Sequence, residues 1–153
     1  MARARRAEGF SLIEVLVAVL VFSVGVLGVV GLQLVALQHN TNAMFRTQAA
    51  DLAYDLIDRA RAFPGQSYAV ALGDAGPDGP DCTSTDCNTG EMRDYDLEVW
   101  LDRAADTLPS GDGGVAENGN VVTVTMQWRD ERAPPDADCP GDGTVCMEVS
   151  TVL

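Results

Sequence analysis

Hydrophobic positions fall into three regimes along the chain. From Val15 to Leu32 the residues read VLVAVLVFSVGVLGVVGL, with no charge and with Ser23 as the one polar side chain. A helix needs about 20 such residues to cross a hydrocarbon core, and residues 10–13 extend the run, so a membrane-spanning helix is predicted over about 10–33. Beyond it the apolar residues thin out but keep a helical beat. Leu34, Leu37, Met44, Phe45, Leu52, Leu56, Ala60 and Phe63 recur mostly at three- and four-residue spacing, as on an amphipathic helix. Asp55–Arg59 and Asp58–Arg61 stand at i,i+4 and i,i+3 with the acid first, the favourable order. Pro64-Gly65 stops the run. One helix over 10–63 is therefore expected, roughly 80 Å long at 1.5 Å per residue.

The third regime starts at residue 64. Residues 73–91, GDAGPDGPDCTSTDCNTGE, are loop by composition. Tyr95, Leu97, Trp100, Leu101, Ala104, Ala105 and Leu108 then fit a short amphipathic helix over about 92–107, closed by Pro109. Strand signals follow. Gly114-Val115-Ala116, the turn Glu117-Asn118-Gly119-Asn120 and the run VVTVTMQW (121–128) read as a hairpin about an Asn-Gly turn. After a Pro/Asp/Gly-rich loop at 133–143, Val145 to Leu153 supplies another strand. The fold class expected is α+β: a long amino-terminal helix, then a head over 64–153 with a short helix and a small antiparallel sheet.

Charge adds orientation. Arg3, Arg5 and Arg6 precede the span and the next cation is Arg46, so the positive-inside rule places the amino terminus in the cytoplasm and the head outside. The net charge of −13 argues against nucleic acid as a partner, because the phosphate backbone repels such a surface. All ten basic residues are arginine. Secretory signal peptides share a basic start and an apolar core, but this core is longer, and no small-x-small cleavage pattern closes it before Gln38–Asn42.

Glu14 is the exception inside the apolar run. A carboxylate costs on the order of 3 kcal/mol at a bilayer centre and less toward the ends, so snorkelling to the interface is one explanation. Its neighbours supply another. Gly9-Phe10-Ser11-Leu12-Ile13-Glu14, behind a basic leader, resembles the type IV prepilin signature. That resemblance implies removal of residues 1–9 by prepilin peptidase after Gly9, methylation of the new amine on Phe10, and pairing of that amine with Glu14 of a neighbouring subunit during assembly. Gly25, Gly28 and Gly31 interrupt the membrane half. Close helix packing through small residues is the plainer reading, and a weak segment that unwinds on assembly is the functional one.

The head narrows the resemblance. Cys82-x-Ser84-x-x-Cys87, then Tyr95-Asp96-Leu97 with Trp100, then Leu108-Pro109-x-Gly111, then Val122 to Trp128, stand in the order of PilV-type minor pilins, the type IV pilus modification family. Val26-Leu27-Gly28 with Gln33, and residues 53–59 (AYDLIDR), resemble the same family's long helix. The resemblance implies a single-pass inner-membrane protein with a periplasmic head. Its partners would be other minor pilins and pilus subunits, prepilin peptidase and the inner-membrane assembly platform. Its role would be to prime filament assembly, and with it twitching motility and adhesion. An I-type minor pseudopilin of type II secretion shares the leader, helix and sheet, and a pilus-tip binding or adhesion subunit is a third reading.

Cys82, Cys87, Cys139 and Cys146 all lie on the exported side. Four cysteines allow three pairings. The local pairs Cys82–Cys87 and Cys139–Cys146 are expected, each closing a short loop worth about 2 kcal/mol on the chain-entropy model. Zinc is the rival, but the spacings are looser than Cys-x-x-Cys and an oxidising periplasm favours disulfides. Asp74, Asp78, Asp81 and Asp86 crowd one loop without the order of an EF-hand calcium site. His39 has no second histidine to join. No catalytic constellation, cofactor or metal site is expected; the chain reads as the substrate of a processing enzyme.

Overall fold

The computed structural model describes residues 10–130, 139 and 143–153. The leader with Gly9, and most of the loop at 133–143, lie outside the described residues. The fold is α+β, a long apolar amino-terminal helix followed by a short helix and a three-stranded antiparallel sheet, consistent with a pilin fold.

Helix α1 runs Leu12–Ala62. Its first turn closes on Ser11, whose carbonyl accepts the amides of Glu14 (3.0 Å) and Val15 (3.3 Å). It ends where Pro64 cannot continue the ladder and Gly65 turns at φ +94°. By internal contacts the chain divides into two units, Met1–Asn42 and Ala43–Leu153.

In the first unit every residue of α1 from Leu12 to Thr41 is exposed, apolar or not. Its polar hydroxyls are nevertheless satisfied. Ser23 donates to the carbonyl of Val19 at 2.7 Å and Thr41 to that of Leu37 at 3.0 Å. Ser23 therefore presents no unpaired donor to hydrocarbon, where one would cost several kcal/mol.

In the second unit the same helix acquires a buried face. Ala49, Ala53, Leu56, Ile57 and Ala60 are buried at helical spacing. The alanines let neighbouring elements approach the backbone closely. Helix α2 (Thr89–Thr107) contributes Leu97, Trp100 and Ala104 to the same core. Strands β1 (Asp112–Asn118), β2 (Val121–Arg129) and β3 (Thr144–Val152) are antiparallel in the order β1-β2-β3. Strict alternation along β2 turns Val122, Val124, Met126 and Trp128 inward, where they close the core with Tyr68, Leu108, Val115 and Val145.

Four local features depart from the sequence pattern. Helix α2 begins at Thr89, three residues before the expected start, because Asn88 and Glu91 form a capping box. The Asn88 side chain accepts the amides of Gly90 (2.9 Å) and Glu91 (3.0 Å), while Glu91 accepts that of Asn88 (2.8 Å). The hairpin turn is displaced by one residue. Asn118 pairs with Val121, so Gly119-Asn120 is the two-residue loop, and Gly119 supplies the positive φ of +62° expected at its first position. An extra extended residue, Val70, bridges Val115 of β1 through bonds of 3.1 and 2.7 Å. Strand β1 also starts earlier than expected, and its Gly113 lies against Trp100: a Cβ there would stand 2.3 Å from Cη2 of the indole.

Candidate assembly site

The amino-terminal site is built from an aromatic residue, an acid and an uncovered apolar helix. Phe10 precedes α1 and is 84 % exposed. Glu14 lies in the first helical turn, where the unsatisfied amides of a helix start favour a negative charge. Ile13, Val17, Ala18, Val21 and Phe22 flank it along the exposed surface. The best 18-residue window of α1 has a mean hydropathy of 2.9 and none of it is buried by the rest of the chain. So large an apolar surface is unstable in water and demands lipid or other helices. The first unit thus sets an exposed aromatic residue and a carboxylate at the start of a helix that is incomplete without an apolar environment.

Residues 4–30 match the family model of the prokaryotic N-terminal methylation motif. The match spans residues 4–9 of the leader, Phe10, Glu14 and the first part of α1, and it supports a prepilin-type protein. Such a motif implies processing by prepilin peptidase and assembly at the membrane. No curated protein and no solved structure matches the chain. Gly9, the residue before the expected cut, lies outside the described residues.

In the head, the segments singled out from sequence meet one another. Asp55 and Arg59 of α1 form their expected pair at 3.1 Å, and Asp58 and Arg61 form theirs at 3.0 Å. Arg59 also reaches across to Asp96 of α2, which is 6 % exposed. The second oxygen of Asp96 accepts the Tyr68 hydroxyl at 3.3 Å. One carboxylate thus ties α2 both to α1 and to the segment that follows α1. Burial pulls the Arg59 guanidinium down, but its bonds to Asp96 and Asp55 outweigh this and hold its pKa above the usual arginine value. Burial, then the nearby Asp96 charge and hydrogen bond, push the Tyr68 phenol up to about 12. Trp100, one turn after Asp96, donates its indole N–H to the Leu52 carbonyl at 2.9 Å. Leu108-Pro109-Ser110-Gly111 forms a turn closed by Gly111 N–H to Leu108 O at 2.9 Å, with Ser110 at φ +48°. Of these motif residues, Asp96 and Trp100 tie α2 to α1.

The cysteines join locally, Cys82 to Cys87 with an S–S distance of 2.02 Å and Cys139 to Cys146 with 2.04 Å. Asp81, next to the first disulfide, is turned inward on its own loop. It accepts the hydroxyl of Thr83 (2.6 Å), the amide of Thr83 (2.9 Å) and the hydroxyl of Ser84 (3.1 Å), which lower its pKa. Among the described residues no three His, Cys, Asp or Glu side chains are grouped to hold a metal ion. His39 is exposed on α1.

Two features of the head lie outside the expectations from sequence. The Asn88-x-x-Glu91 box is visible as a pattern, a cap residue with an acid three positions on. The Arg59–Asp96 pair is not, because 37 residues separate its partners and Arg59 already has a local acid in Asp55.

Proposed function

We propose that the chain is a structural, non-enzymatic minor pilin of a type IV pilus, of the PilV type. Prepilin peptidase cuts after Gly9, the chain stands in the inner membrane by residues 10–33, and its head (64–153) lies in the periplasm. There it joins other minor pilins on the assembly platform and primes filament growth. The single observation that carries this reading is the exposed apolar part of α1, whose one acid, Glu14, stands four residues after Phe10 inside the methylation motif. The orientation is supported by Arg3, Arg5 and Arg6 ahead of the span. The minor-pilin assignment is supported by the order of the head motifs along the chain, of which Asp96 and Trp100 bond α2 to α1.

The role of Glu14 follows from charge. Cleavage leaves an amine on Phe10, and in a low-dielectric setting an acid of a neighbouring subunit attracts it strongly, although desolvation offsets much of the gain. The pairing therefore serves register and recruitment more than stability. Glu14→Ala tests it in cells: the variant is processed like wild type but does not reach sheared filaments, and piliation falls. Normal incorporation of the variant would remove the assembly role.

A further inference from the structure

We propose that residues 39–42 are the point at which α1 opens and lets the head turn, an inference that rests on the membrane-spanning part of the reading above. Helix α1 is continuous over Leu12–Ala62, but what supports it changes along its length. The apolar run that lipid shields ends at Leu37. The face that packs in the head begins with Phe45, partly buried, and Ala49, fully buried. Between them Gln38, His39, Asn40 and Thr41 are exposed and polar, and the first unit ends at Asn42. Neither lipid nor the head core covers that stretch, so its helix rests on local propensity. Most helical stability in proteins comes instead from packing of an apolar face.

The local contributions are unfavourable. His39, Asn40, Thr41 and Asn42 all belong to the weaker helix formers, and asparagine side chains compete for backbone hydrogen bonds. Thr41 donates its hydroxyl to the Leu37 carbonyl at 3.0 Å, a back-bond that weakens and bends helices. Among the described residues, every ion pair of α1 lies at Asp55 or beyond, so none braces residues 39–42.

Gly25, Gly28 and Gly31 are the competing break, and the surroundings decide against them. Within hydrocarbon a freed amide or carbonyl finds no water, which holds the backbone bonds of the span closed. At 39–42 water takes the place of each broken bond, and the helix opens locally while the units on either side stay folded. A subunit still in the bilayer therefore bends at the wet stretch, and its head turns while the span stays in place.

Amide hydrogen exchange of the full-length chain in lipid nanodiscs, read by mass spectrometry of its peptides, tests this. Each helical amide bonds to the carbonyl four residues back, so opening at 39–42 frees the amides of 39–46. Those amides are expected to exchange at least tenfold faster than the amides of 15–32 and of 49–60. Combining His39→Ala, Asn40→Ala and Thr41→Ala, all at exposed positions, should slow them about tenfold to thirtyfold through the gain in helix propensity. The urea midpoint of the head should not move. Exchange at 39–46 as slow as at 49–60, or unchanged in the triple variant, would overturn the proposal. If 15–32 stays protected in that case, the membrane-spanning reading still stands. Fast exchange across 15–32, the glycine segment included, sinks both.

Discussion

Replacing Asp96 by Asn tests whether the two helices are held by one buried carboxylate. The substitution keeps the size of the side chain and removes its charge. Breaking a buried ion pair by removing one partner costs about 3–5 kcal/mol when the other charge is left uncompensated. Here Arg59 keeps Asp55 at 3.1 Å and its side chain is 23 % exposed, so part of that cost is relieved. The amide oxygen of Asn also still accepts the Tyr68 hydroxyl. A loss of about 2–3 kcal/mol is expected, a large part of the ~5–15 kcal/mol that holds a typical domain. Urea unfolding of the unit Ala43–Leu153, followed by tryptophan fluorescence, reads this directly, since Trp100 is fully buried one turn from Asp96. With a slope of about 1–3 kcal/mol per molar urea, the midpoint should fall by about 1–2 M. A triple replacement, Arg59→Met and Tyr68→Phe with Asp96→Leu, should recover most of the loss, because an apolar cluster avoids the desolvation of two charges and leaves no orphaned Tyr68 hydroxyl. A midpoint for Asp96→Asn within about 0.3 M of wild type would refute the reasoning.

The same network has a pH signature. Tyr68 is held near 12 against an ordinary value of 10.0, so the fold favours its neutral form. That contribution, about 2–3 kcal/mol for a phenol displaced this far, is complete below pH 10 and is lost as pH climbs toward 12. Urea midpoints should drop across this window in wild type and drop less in Tyr68→Phe. Gly113→Ala drives a methyl group into the Trp100 ring and should cost about 1–3 kcal/mol, measured as a lower melting temperature. Ser110→Gly relieves a left-handed backbone angle and should stabilise by about 1 kcal/mol; an unchanged or lower melting temperature would show that Ser110 makes a compensating contact.

Periodicity carried most of the architecture because the helix and β2 each bury one clean face. The spacing of Leu52, Leu56 and Ala60 and the alternation of Val122, Val124, Met126 and Trp128 translate into burial, partial at Leu52 and complete at the others. Element ends were less legible. Thr89 starts α2 because a side-chain cap reaches back over residues that look like loop, and the hairpin turn falls one residue later because Asn118 pairs with Val121 and Gly119 takes the positive-φ position. Val70 gave no signal, since a single bridge has no period. For the assembly site, Phe10 and Glu14 stood out because an acid in an apolar run is costly and therefore informative. The Arg59–Asp96–Tyr68 node lay beyond sequence reasoning: its members sit on three separate segments, and only the packing of α2 on α1 brings them together.

In the proposed function this chain is a prepilin cut between Gly9 and Phe10. Mass analysis of the amino terminus of the protein recovered from the membrane fraction tests it most directly. A chain beginning at Phe10 with a methylated α-amine is expected. A chain still beginning at Met1, or cut at any other bond, would contradict it.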